Sequence, residues 1–248
     1  IMYRNLGLIE LSIKTHLEIL LDDQLNSNSY YELSTMYNFS NHDEQLKTLL
    51  NVEIENLSPK EKIYFCYSKS NAYHNNRDYK KSAYFLKIAN DEKLKIQPSD
   101  LKRKLNTGEY FRNLKIDQNL KLEKVKDSNQ YVFIVGMPRC GSTLLESILS
   151  LNPEVKDLGE VPFLEESLEK SDDLFEVRKL YKEKVMLVNS KQKTFTDKNL
   201  FNFLYCPIIY RFFPNAKIIH CIRNPLDNIL SIYRTNFLNQ SFSSSLND

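Results

Sequence analysis

Residues 136–143, Gly-Met-Pro-Arg-Cys-Gly-Ser-Thr, have the spacing of the phosphate-binding pattern GxxxxGK[ST], with Ser142 where that pattern carries lysine. An apolar run, YVFIVG, precedes them and an amphipathic one, TLLESILS, follows. A strand, a turn and a helix start in that order aim backbone N–H groups at one spot, and the helix dipole favours negative charge there. Without the lysine that bridges β- and γ-phosphates, transfer from ATP or GTP is poorly supported. The loop's candidate anion contacts are therefore Arg139, Cys140, Gly141, Ser142, Thr143 and Leu144, with Arg139 bringing the positive charge. Downstream, IIHCIRNPLDNILSIYRTNF sets Arg223 just past a strand expected to be buried, and Ser231 eight residues on in the next helix. By itself an arginine at a strand end is often just a solvated cap, though a guanidinium can fork onto phosphate oxygens while a hydroxyl donates to another. Arg234 is a further candidate there, with a helix-surface role as its alternative. In EVKDLGEVPF, Glu160 follows a short strand and a glycine, and in FTDKNLFNF, Lys198 ends a strand. On spacing alone, both read as solvated surface groups.

The run GMPRCGSTLLESILSLNPEV, together with RNPLDNILS, resembles the sulfotransferases that use 3′-phosphoadenosine 5′-phosphosulfate (PAPS). The resemblance is nearest to the bacterial tetratricopeptide-repeat sulfotransferases and the tyrosylprotein sulfotransferases, and it covers residues 131–240. It implies that the loop holds the donor's 5′-phosphosulfate and that Arg223 and Ser231 bind its 3′-phosphate. It also implies that Glu160 is the general base for an acceptor hydroxyl, while Lys198 meets the leaving phosphate oxygen with Arg139 beside it. The loop then lacks its lysine because Lys198 supplies the cation from elsewhere. Sulfuryl transfer needs in-line placement and charge stabilisation more than covalent help, and no metal. The implied partners are PAPS, its product PAP, and a hydroxyl acceptor such as a protein tyrosine. Cys140 stands where the family usually has serine.

To position these groups, the chain must alternate strands and helices after Tyr131. YVFIVG, KTFTD and AKIIHCIR read as strands; TLLESILS, FNFLYCPIIYRFF and LDNILSIYRTNF read as helices. That alternation predicts an α/β fold, a P-loop-containing parallel sheet with helices on both faces. The first half reads all-α, with apolar residues at three-to-four spacing and Ser58-Pro59 as a helix start. Within it, KIYFCYSKSNAYHNNRDYKKSAYFLKIAND resembles one tetratricopeptide unit, an ordinary helical hairpin being the alternative. The expected division is a helical, repeat-like region over 1–115 suited to a protein or peptide partner, a charged linker over 116–130, and the α/β domain over 131–248.

With 34 basic and 32 acidic side chains, the net charge of +2 gives bulk nucleic-acid binding little support. Cys66, Cys140, Cys206 and Cys221 form no CxxC pair and no zinc-like spacing with the histidines, which points to a reduced, cytoplasmic compartment. No apolar run is long enough for a membrane span, and charges interrupt the N-terminal apolar stretch where a signal peptide would have none. Beginning at Ile1 and stopping soon after Ser231, the chain is expected to be a C-terminally incomplete fragment. A cysteine-dependent phosphatase needs arginine six positions after its cysteine, where Glu146 and Asp227 stand. A nucleotide kinase is disfavoured by Ser142. The alternative from another class is a non-catalytic helical-repeat interaction protein with a truncated or inactive transferase domain.

Overall fold

The computed structural model describes residues 2–37, 39, 43–113, 129–188, 191–238 and 241–247. They divide into two compact units, one formed by Ile1–Leu101 with Tyr233–Asp248 and the other by Lys102–Ile232. Most of the expected linker, 116–128, lies outside the described residues.

The first unit is helical. Its elements are α1 (Met2–Asn5), α2 (Ile9–Asp22), α3 (Ser27–Met36), α4 (Glu44–Asn51), α5 (Pro59–Asn75) and α6 (Tyr79–Ile96). Polar caps set several starts: Asn26, Asp43 and Asp78 each accept a backbone N–H from the first turn they open. Ser58 caps α5 ahead of Pro59, as the sequence predicts, and Glu61 completes a capping box with it. The hairpin α5–α6 closes through small residues. Ala72 and Ala89 are buried, Ser70 Oγ lies 3.2 Å from Ser82 Oγ, and Tyr73 stacks on Phe85. A cluster around Tyr30, Leu33, Leu49 and Phe65 joins α2–α5, and a second around Tyr67, Leu86 and Ala89 seals the hairpin. The returning segment docks on the latter. Asn90, whose Oδ1 accepts from Tyr67 Oη, donates to the Tyr233 carbonyl at 3.1 Å, and Lys93 donates to the Phe237 carbonyl. No helix among the described residues is long and apolar enough to cross a membrane.

The second unit is built on strands β1 (Gln130–Gly136), β2 (Val155–Asp157), β3 (Thr194–Asp197) and β4 (Lys217–Cys221), all parallel, in the order β2-β3-β1-β4. Its helices are α7 (Leu101–Asn113), α8 (Ser142–Leu149), α9 (Phe163–Lys170), α10 (Leu174–Val188), α11 (Cys206–Phe212) and α12 (Pro225–Tyr233). Tyr131, Phe133 and Val135 of β1 alternate onto one face with Phe195 of β3, in a core with Leu164, Val177, Tyr181, Ile208 and Phe212 from α9, α10 and α11. Thr196, pointing the other way, donates its hydroxyl to Glu146 of α8 on the opposite face. Helices thus cover both faces of a parallel sheet.

Four expectations shift. α7 lies inside the helical region expected over 1–115, yet its Phe111 packs against the α/β core. The helix expected over 201–213 is a 3₁₀ turn, Leu200–Tyr205, running into α11, because Pro207 can supply no N–H and fits only a first helical turn. The strand before Arg223 is not buried. Among the described residues β4 pairs with β1 alone, and Ile218 is 40% exposed. The boundaries also differ from 115 and 131, since α7 belongs to the α/β unit and the chain rejoins the helical unit at Tyr233.

Candidate active site

At the end of β1 the chain leaves the sheet where no side chain fits. A Cβ built on Gly136, at φ 151°, would lie 2.6 Å from the Cys221 carbonyl oxygen on the neighbouring strand. The loop then passes through two left-handed residues, Arg139 at φ 67° and Gly141 at φ 100°. For arginine that conformation costs roughly 1–2 kcal/mol, and two bonds hold it. Asn228 Nδ2 donates to the Pro138 carbonyl at 2.7 Å, and Arg223 Nη1 donates to the Arg139 carbonyl at 3.1 Å. Gly141 caps α8, whose ladder opens with Leu145 N–H onto the Gly141 carbonyl. The N–H groups of Ser142, Thr143 and Leu144 therefore precede that ladder at the helix's positive end. Ser142 is buried. Thr143 and Leu144 are exposed, so an anion at the helix start would meet Leu144 through its backbone.

Arg223 and Ser231 meet through Arg139. Arg139 Nε donates to Ser231 Oγ at 3.3 Å, while Arg223 holds the Arg139 carbonyl. Two guanidinium groups and a hydroxyl thus share one patch, which suits an anion better than any one of them. Cys140, between Arg139 and Gly141, is half-buried. Arg234 is placed elsewhere, with its Nη1 2.9 Å from His74 Nε2 in the helical unit.

Glu160 and Lys198 form an ion pair, Lys198 Nζ donating to Glu160 Oε1 at 2.8 Å. Lys198 is buried, whereas the Glu160 side chain is 66% exposed. The turns carrying them are stitched by Lys198 N–H onto the Gly159 carbonyl at 2.8 Å. Sequence reasoning missed what lies behind the pair. Glu146, buried on α8, accepts from Thr196 Oγ1 at 2.8 Å and Gly159 N–H at 3.3 Å, and its other oxygen lies 3.9 Å from Lys198 Nζ. Burial raises the Glu146 carboxyl above its ordinary range, against the pull of Thr196 and Lys198. Asp197, also buried, accepts from Tyr181 Oη, Asn199 N–H and Asn202 Nδ2, which pins the turn after β3. Burial pushes its carboxyl up to about 7, with those hydrogen bonds opposing. Both had a signal in the sequence. Glu146 is a carboxylate one turn beyond Ser142 on the stripe of α8 that faces the sheet, and Asp197 alternates in phase with Phe195.

Because all four strands are parallel, their carboxyl ends share one edge. β1 delivers the loop, β2 Glu160, β3 Lys198 and β4 Arg223. The chain leaves β1 into α8 on one face and β3 into α11 on the other, so a topological switch point falls between these adjacent strands, where ligands bind in open α/β sheets.

A model described as "Sulfotransferase family" matches residues 131–184 and 166–248. A protein of Aquifex aeolicus (strain VF5), described only as uncharacterized, is 34% identical over 133 residues, 44% of this chain and 18% of that protein. The chain thus spans less than a fifth of that relative's length. No solved structure matches significantly.

Proposed function

Residues 131–248 belong to the sulfotransferase family, and on that footing we propose that this unit moves a sulfuryl group from PAPS to an acceptor hydroxyl. The observation that carries the reading is the delivery of the loop, Glu160, Lys198 and Arg223 to one carboxyl edge at a switch point. The residues fit the donor's charges. The start of α8 suits a 5′-phosphosulfate, and the patch of Arg139, Arg223 and Ser231 suits a second phosphate, the 3′ group.

In the proposed step the acceptor hydroxyl gives its proton to Glu160 while its oxygen attacks sulfur, and Lys198 neutralises charge growing on the leaving phosphate oxygen. The resting ion pair couples the two. As Glu160 gains a proton it releases its hold on Lys198, and Glu146, 3.9 Å from Nζ, keeps the buried ammonium partnered throughout. A protein or peptide hydroxyl, such as tyrosine, is our proposed acceptor. The α5–α6 hairpin, with its small-residue seam, supports a tetratricopeptide-like role for the helical unit in holding such a partner, and we place the whole in the cytoplasm.

The test is donor discrimination by calorimetry. The protein should prefer PAPS over adenosine 5′-phosphosulfate, which lacks only the 3′-phosphate. Losing a hydrogen bond to a charged group is worth about 1.5–3 kcal/mol, so Arg223→Ala should cost roughly ten- to a hundredfold on PAPS and little on the other nucleotide. Equal binding of both nucleotides by the parent protein, or discrimination that survives Arg223→Ala, overturns the 3′-phosphate assignment.

A further inference from the structure

Cys140 has no part in the transfer step, yet it occupies the centre of the loop. Gly136 is the register partner of Cys221 across β1 and β4. The space that glycine leaves open is filled from two sides: its missing Cβ would lie 3.3 Å from Cys140 Sγ and 2.6 Å from the Cys221 carbonyl oxygen. The Cys140 side chain has therefore folded back across the end of β1 toward Cys221 on β4. Both are half-buried, within reach of a small reagent. The other cysteines differ. Cys66 is fully buried with its thiol pushed up to about 11, chiefly by burial, and Cys206 faces the Asn202 carbonyl.

We propose that Cys140 and Cys221 form a reversible disulfide that pulls the phosphate loop onto the end of β4 and closes it to its anion. The oxidant is a small-molecule disulfide of the glutathione class. The Cys140 thiolate attacks one of its sulfurs, forming a mixed disulfide and expelling one small thiolate. The sulfur of Cys221 then displaces the second small thiolate from Cys140, and the protons of the two cysteines pass to the two released thiols. Two electrons leave the protein and reduce one small disulfide. Burial and the neighbouring Cys140 push the Cys221 thiol up, so Cys221 is the resolving partner rather than the first attacker. The consequence for the loop follows from its backbone. Cys140 sits between two left-handed residues, so drawing its sulfur toward β4 must rotate the peptides on either side and turn their N–H groups away from the ligand. Reduction restores them. Disulfides that come and go in reducing compartments are of this sensing kind.

That consequence for binding rests on the donor-loop reading, whereas the disulfide does not. The whole protein is equilibrated with reduced and oxidised glutathione in varying ratio and digested with trypsin. Residues 140–156 and 218–223 should then appear as one cross-linked mass in the oxidised samples and as two peptides after reduction. In parallel, PAP is titrated by calorimetry. Affinity should fall at least tenfold on oxidation, return on reduction, and become insensitive to oxidant in Cys221→Ser. Failure of the cross-linked mass to form overturns the proposal, as does unchanged PAP affinity in cross-linked protein. If reduced protein binds no PAP, the donor reading falls, and the disulfide still stands or falls on the mass.

Discussion

Asp197 offers a quantitative test of how the turn carrying Lys198 is held. Its carboxyl is buried, and its acidity moves from an ordinary value of 3.8 to about 7. A carboxyl raised in this way keeps its proton in the native protein at pH values where the unfolded chain has released it. Its contribution to stability is therefore fully present below about 4, drains away as pH rises through 7, and is constant beyond. At 1.36 kcal/mol per pH unit the loss amounts to about 4 kcal/mol. Asp197→Asn removes the titration while keeping the packing. One amide oxygen can still accept from Asn199 N–H and Asn202 Nδ2, and the amide nitrogen can donate to Tyr181 Oη. Urea unfolding of both proteins at several pH values between 4 and 8 measures the difference. The parent should lose roughly 4 kcal/mol relative to the variant across that window. Parallel stability curves would refute a buried, protonated carboxyl and with it the reasoning about this turn.

Glu160→Gln and Lys198→Ala should each lower kcat by roughly 10²-fold in a radiolabelled-donor assay, with donor affinity changing much less; near-normal turnover removes that residue from the mechanism. Gly136→Ala must push a methyl group into the Cys221 carbonyl and should destabilise by more than about 2 kcal/mol, whereas Gly159→Ala, left-handed at φ 72° but with nothing within 4 Å, should cost only about 1 kcal/mol. Equal losses in thermal unfolding would contradict that contrast. Ser58→Ala breaks the capping box of α5 and should cost about 1 kcal/mol, and an unchanged denaturation midpoint would show that the cap contributes nothing.

What the sequence made legible was whatever short range determines. The strand-loop-helix around Gly136, the cap at Ser58 and the alternation after Tyr131 depend on neighbours a few residues apart, and they form where expected. Glu160 and Lys198 were picked out by resemblance, and the structure pairs them at 2.8 Å. The rest depends on contacts distant in sequence. Glu146 looks like one more charge on a helix until Thr196, fifty residues on, is placed beside it. Arg139, Arg223 and Ser231 become one patch only once β4 lies next to β1. The exposure of β4 could not be read from AKIIHCIR, because an apolar strand looks the same at the edge of a sheet as at its centre. Nor could α7 be assigned to the α/β unit from sequence. Its helix has no buried residue, so no apolar stripe marks it.

The return of the chain at Tyr233 bears on how the molecule is made. Residues 102–232 are an insertion between two parts of one helical unit, so a ribosome releases the whole α/β unit before the strip that docks on Asn90 and Lys93. Joining the two parts across an unfolded insertion would cost about 4 kcal/mol in closure entropy, and a folded one offers its ends with much of that already spent. The α/β unit should therefore fold first during synthesis, leaving the seam of the α5–α6 hairpin bare until Tyr233 arrives. In that interval, the exposed seam is where a chaperone would have to hold the nascent chain.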